Sequence, residues 1–140
     1  MLELTGKCDG YALLLHGGAG PQDPDSKRLK GATDELVRIG ETGMKALDNN
    51  QDPMDVVVQC LKDMELCERF NAGIGSALQA DGQARLTAAL MESDRETFSG
   101  VISASYVNHP SVMARHLQSC SSRVLTSPGT GCLNKPKRKK

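Results

Sequence analysis

The stretch His16-Gly17-Gly18-Ala19-Gly20, entered from the apolar run Tyr11-Ala12-Leu13-Leu14-Leu15, decides how the chain is read. The apolar run predicts a short buried strand. Glycines at 17, 18 and 20 then allow a sharp turn and a close backbone approach that side chains would block. A strand entering such a turn can present backbone N–H groups to an anion, a carbonyl oxygen or another chain segment. The plain alternative is a turn with no further role. A second glycine-rich segment, Phe70-Asn71-Ala72-Gly73-Ile74-Gly75-Ser76, adds weight to the functional reading.

Between the two segments the pattern is helical. Pro21 to Ser26 is loop material able to cap a helix. From Ser26 to Asn50 the residues Leu36, Ile39, Gly43 and Leu47 share one face, with charges elsewhere. Gly31, Gly40 and Gly43 each weaken that helix by about 1 kcal/mol against Ala, and permit close packing on a sheet. Asn49-Asn50 ends it. Asp52-Pro53 starts a second helix, with Asp as N-cap and Pro at the first helical position. Its residues Met54, Val57, Val58, Leu61 and Met64 recur at helical spacing and read as core. Glu65 to Ser76 is an irregular connection. Strands are predicted over Gln83–Met91 and Phe98–Val107, the second rich in β-branched and small residues, and a short helix from Pro110 to Gln118. The order β, α, α, β, β, α is an α+β pattern of helices packed on a sheet.

Composition sets the bounds. A chain of 140 residues with 39% hydrophobic residues suits one ordinary domain. With two Tyr, two Phe and no Trp, its core must be aliphatic and Met-filled. The net charge of zero hides an asymmetry. Lys135-Pro136-Lys137-Arg138-Lys139-Lys140 holds five of the 17 basic residues, leaving 12 against 17 acids and a net charge of −5 in the remainder. Five cysteines without a C-x-x-C pair point to reduced thiols. The first residues lack the basic start and apolar centre of a signal peptide, and no run approaches the roughly 20 residues that cross a bilayer. A cytoplasmic protein away from membranes is the expectation.

The two glycine segments, in this order and spacing, resemble the amino-terminal, α-subunit part of the isoaspartyl peptidase/L-asparaginase family. These plant-type asparaginases are N-terminal nucleophile hydrolases. The resemblance continues through Leu86-Thr87-Ala88-Ala89-Leu90-Met91, Phe98-Ser99-Gly100-Val101, Asn108-His109-Pro110 and Ala114-Arg115, and ends near Gly129. It implies part of a four-layer αββα sandwich, incomplete, for an α-subunit-like body over 11–128; residues 1–10, without a clear pattern, read as a leader and 129–140 as a divergent basic tail. It also implies L-asparagine or β-aspartyl peptides as substrates. In the family a threonine freed by self-cleavage is the nucleophile, and its own α-amine is the base. An oxyanion hole stabilises the tetrahedral intermediate.

That threonine lies in a Gly-Thr-Val-Gly context, which these 140 residues do not contain. No catalytic residue is therefore expected here, and the chain is expected to be silent alone. Thr130, in Gly129-Thr130-Gly131, is too near the end to build a site and reads as loop. By resemblance, Gly17, Gly18 and Gly20 shape the nucleophile region and Asn71 reaches toward the threonine. Read from the residues alone, Asn71 is equally a turn asparagine bonded to its own backbone. The resemblance further implies a structural sodium ion, held by the backbone carbonyls of Met64, Glu65, Cys67, Phe70, Ala72 and Ile74; hard cations suit carbonyl oxygens. No cofactor is implied for catalysis.

Other features have two readings. His109 and His116, or Cys60 and Cys67, lie seven residues apart; solvent-facing or buried structural roles are preferred to metal ligation or nucleophilic chemistry. The basic tail is a solvated extension, or sequence beyond an altered splice junction, rather than a nuclear import signal or a nucleic-acid contact. A protein partner or self-association is expected if sheet edges lack their neighbours.

Overall fold

In a computed structural model, which describes residues 10–19, 27–105 and 107–126, the chain divides into two contiguous units, Met1–Gly75 and Ser76–Lys140. Gly20, Thr130 and the Lys135–Lys140 block lie outside the described residues.

The first unit is built on two helices, α1 (Lys27–Asp48) and α2 (Pro53–Glu65). α1 buries Leu36, Ile39, Gly40, Gly43 and Leu47, the face that the sequence pattern marks. Its end is set by Asn50, which takes φ +57 in the left-handed region. Gln51 N–H donates to Ala46 C=O at 3.1 Å and Asn50 N–H to Leu47 C=O at 2.9 Å, the paired bonds of a Schellman cap. Two residues later Asp52 caps α2. Its carboxylate accepts from the N–H groups of Met54 (3.0 Å) and Asp55 (3.1 Å), and Pro53 occupies the first turn, where no N–H is needed.

Two expectations are corrected here. The buried stripe of α2 is Val56, Cys60 and Met64, joined by Val58 and Glu65; Met54 and Leu61 are half-buried and Val57 is exposed. Spacing by four selects a narrow face whose centre is the small Cys60 thiol. That face lets α2 approach Gly43, where an added Cβ would stand 2.8 Å from Cys60 Sγ and 2.7 Å from Leu13 Cδ2. The close packing bought by Gly43 is thus against a helix and the amino-terminal segment, not against a sheet. The second correction concerns Tyr11–Leu15. Apart from a single bridge at Tyr11 it has no strand ladder among the described residues. Alternation survives all the same: Leu13 is buried, Tyr11 and Leu15 pack on the same core, and Ala12 and Leu14 face outward. The core joins Leu13, Leu36, Ile39, Leu47, Val56, Cys60, Met64 and Phe70.

The second unit is a three-stranded sheet with one helix. β1 (Leu86–Glu92) and β2 (Thr97–Ala104) form an antiparallel hairpin; α3 (Pro110–Leu117) then crosses to β3 (Val124–Thr126), which runs parallel to β2. β2 is central. It stops at Ala104, short of the expected Val107, opposite Leu86, where its partner β1 begins. Leu86 pairs with Ala104 but Ala88 with Val101, so β2 carries an extra residue. Ser103 absorbs the bulge at φ +55, and its N–H donates to Thr87 Oγ1 at 3.2 Å. Thr97, Ser99 and Val101 form the buried face of β2, and Ser99 Oγ donates to the Ala114 carbonyl of α3 at 2.7 Å. The opposite face leaves Met91 (75%), Phe98 (51%), Ile102 and Val124 exposed. β3 was not anticipated as a strand. Among the described residues no helix is long and apolar enough to cross a membrane.

Candidate functional site

The first unit brings the two glycine segments together. An added Cβ on Gly17 would stand 2.9 Å from Leu36 Cδ1 and 3.0 Å from Phe70 Cε1, so the backbone at 17 lies directly on the Phe70 ring. Only glycine leaves room for that approach. Phe70, 3% exposed, is the anchor that ties the second glycine segment to the core. Asn71 follows it and is exposed. Gly18 adopts φ +107 and donates its N–H to His16 Nδ1 at 3.1 Å. One backbone donor of the first segment is therefore committed to the local turn, with Nδ1 of His16 as the acceptor.

The loop after α2 folds back on itself. Cys67 N–H donates to Met64 C=O (3.2 Å), Phe70 N–H to Cys67 C=O (3.4 Å) and Gly75 N–H to Ala72 C=O (3.1 Å). Gly73 takes φ +52, and a Cβ there would collide with the Glu65 carbonyl oxygen. A Cβ on Gly75 would collide with the Phe70 carbonyl and stand 2.8 Å from that of Glu68. The two glycines thus keep open a small cradle walled by main-chain oxygens. Of the six carbonyls that the resemblance implies, those at 64 and 65 belong to the last turn of α2 and those at 67, 70, 72 and 74 to this loop; Glu68, also at the cradle, was not among them. Among the described residues no group of three or more His, Cys, Asp or Glu side chains is placed to hold a metal ion. His109 precedes α3 and His116 sits in its last turn.

Beside the loop is a feature that sequence reasoning missed, a cleft of about 620 Å³ between α1, the end of α2 and the residues that follow. Arg28, Arg38 and Arg69 line it together with Glu35, Asp63 and Cys67. Arg38 binds Glu35 through Nε (3.1 Å) and Nη2 (2.5 Å). That hydrogen bond, more than the charges of Arg38 and Arg69, holds the Glu35 carboxyl below the usual carboxylate range against the opposing effect of burial. Arg38 is raised in turn, chiefly by its bond to Glu35 and then by the charges of Glu35, Asp63 and Cys67. The guanidinium of Arg69 lies across Gly31 of α1, with Cζ 2.6 Å from where a Cβ would be. Cys67 is a half-buried free thiol, whereas Cys60 is buried, and its thiol is pushed up by that burial. The i,i+3 spacing of Glu35 and Arg38 was the one trace of this cleft in the sequence.

Comparison with known proteins adds an independent finding. The family model described as Asparaginase matches residues 9–137. An isoaspartyl peptidase/L-asparaginase from Synechocystis is 41% identical over 121 residues, covering 86% of this chain and 36% of that protein. A Nostoc protein of the same name is 36% identical over 118 residues, covering 84% and 37%. An isoaspartyl peptidase from Salmonella typhimurium is 33% identical over 117 residues, covering 81% and 37%. The chain thus spans about a third of the length of the curated relatives it matches.

Proposed function

Since the chain belongs to the asparaginase family, we propose that it supplies the amino-terminal wall of an isoaspartyl peptidase/L-asparaginase, acting on L-asparagine or β-aspartyl peptides. The observation that supports this reading is the seat of Gly17 on Phe70, the residue that precedes Asn71 in the chain. Asn71 is then the positioning residue of the wall, aimed at a threonine hydroxyl in the remaining two thirds of such an enzyme. The nucleophile, its α-amine base and the oxyanion hole belong to that remainder. The sheet of the second unit is, in the same reading, part of one layer of an αββα sandwich.

The loop fits a sodium ion. Its donor set is hard carbonyl oxygen, and the cradle at Gly73 and Gly75 is one that a Cβ would fill. Met64, Glu65, Cys67, Phe70, Ala72 and Ile74 would hold the ion through their carbonyls. A bound cation would fix the loop that carries Phe70 and Asn71, and supply no other chemistry.

A second reading has its own support in the exposed apolar face at Met91, Phe98, Ile102 and Val124. In it the chain acts without catalysis, by binding a full-length relative or another protein through that face.

One experiment separates the two. The 140-residue chain is incubated with L-asparagine and a β-aspartyl dipeptide, beside a chimera joining residues 1–128 to the remaining length of the Synechocystis relative. Ammonia release and intact mass are followed. The wall reading expects no turnover and no new N-terminus from the chain alone, and activity from the chimera that falls with Asn71→Ala. A correctly folded chimera that neither cleaves itself nor turns over substrate overturns it.

A further inference from the structure

The chain holds two Asp-Gly pairs, Asp9-Gly10 and Asp81-Gly82. The second sits in an exposed turn ahead of β1. Gly82 has no side chain to shield its nitrogen, and an added Cβ there would meet nothing within 4 Å, so the bond is open to solvent. Such a pair is chemically reactive: the glycine nitrogen can attack the aspartate carboxyl carbon and close a five-membered ring. Here every group that ring closure needs is engaged. Gly82 N–H donates to the Gln79 carbonyl at 2.8 Å, and Gln79 N–H to the Gln83 carbonyl at 3.0 Å, which closes the turn. Asp81 Oδ1 accepts from Gln83 N–H at 3.1 Å. Asp81 Oδ2 accepts from Arg85 Nη2 at 2.5 Å, while Nη1 of the same guanidinium donates to Gln79 Oε1. Arg85 thus ties the residue that carries the carboxyl to the residue that holds the nitrogen. Its bond, ahead of the one from Gln83, keeps the Asp81 carboxyl below the usual carboxylate range. Ring closure loses water from the protonated acid, so the paired carboxylate is the unreactive form.

We propose that Asp81-Gly82 is a modification site at which aspartate converts to isoaspartate, and that Arg85 holds it shut. The Gly82 nitrogen bonds to Cγ of Asp81 and gives up its proton, and one carboxyl oxygen leaves as water, giving a cyclic imide. Water then opens the imide at either carbonyl. Opening at Cγ restores aspartate; opening at the main-chain carbonyl leaves the chain running through Cβ and Cγ. One water is lost and one gained, and no other reactant is needed. The isoaspartyl product has a longer main chain and a shorter carboxylate arm, so it no longer matches the Gln79–Gln83 turn or the reach of Arg85. This proposal is independent of the family reading and of the sodium ion.

The intact chain, its Arg85→Ala variant and a free peptide of residues 76–88 are incubated in heavy-oxygen water near neutral pH. Oxygen incorporation and isoaspartate at position 81 are read by peptide mapping with electron-transfer fragmentation. Position 81 is expected to convert more slowly in the chain than in the peptide. Arg85→Ala should accelerate conversion in the chain about two- to fivefold, the scale of an exposed ion pair. Asp9, in the run of the first unit, is the internal reference and should keep its rate. Equal rates in chain and peptide overturn the proposal, and so does an unchanged rate in Arg85→Ala or an acceleration that Asp9 shares. A thermal melt of the variant keeps the comparison to folded protein.

Discussion

Gly17 rests on the ring of Phe70, 3.0 Å from Cε1 to the point where a Cβ would begin. This one contact joins the two sequence segments on which the whole reading depends.

It is also the place where the smallest substitution should matter. Gly17→Ala meets Leu36 and Phe70, both buried, and is expected to cost about 1–3 kcal/mol as an overpacked core site. Gly31→Ala is the counterpart: the atoms nearest its Cβ are the end of the flexible Arg69 side chain. There the gain in helix propensity should dominate and add up to about 1 kcal/mol. Urea unfolding of the two variants beside the parent measures both, and opposite signs are expected.

The Glu35–Arg38 pair predicts a pH response of defined sign. The folded carboxyl is held low, first by the hydrogen bond from Arg38. Its contribution to stability is therefore present above the ordinary carboxylate range and lost as pH falls through the lowered folded value. Side-chain carbon NMR should show Glu35 titrating below the exposed glutamates, and Arg38→Gln should return it to their range.

Sodium should stabilise the first unit if the carbonyl cradle holds the ion. Binding to the folded state alone adds RT ln(1 + [L]/Kd), about 2.7 kcal/mol at a hundredfold excess over Kd. Melting temperature is compared in sodium, lithium and tetramethylammonium chloride at equal ionic strength. A rise confined to sodium is expected, and Gly73→Ala should abolish it; identical melts in the three salts count against the cradle as a cation site.

The outer face of the second unit predicts association. Met91, Phe98, Ile102 and Val124 form an apolar strip on a sheet whose outer strands, β1 and β3, are edges among the described residues. Light scattering should find species larger than a monomer, and the double variant Met91→Lys with Phe98→Lys should return the monomer. A component weakened by salt would come from attraction between acidic body and basic tail.

Local chemistry was readable where one residue type does one job. Asp52-Pro53 marked a helix start and Asn49-Asn50 a helix end, because caps and left-handed termini depend on few neighbours. The hydrophobic face of α1 followed from periodicity alone. The face of α2 did not, since two apolar stripes compete there and the choice is made by Gly43 on the other helix. β3 was missed because three residues carry too little pattern, and the end of β2 because it depends on where its partner strand begins. The meeting of Gly17 with Phe70 could be expected only through the family resemblance. The cleft at Cys67 could not, because its lining comes from side chains up to 41 positions apart that no shared period connects.

The division of the chain at Gly75 and Ser76 has a consequence in time. Each unit is an unbroken run of sequence, and among the described residues the helices and strands of each fall within its own run. On a ribosome the amino-terminal run is finished first, so α1 and α2 can close over Leu13 and Phe70 while the hairpin is still being made. The helical pair can then close its own core before the hairpin of the second unit is complete.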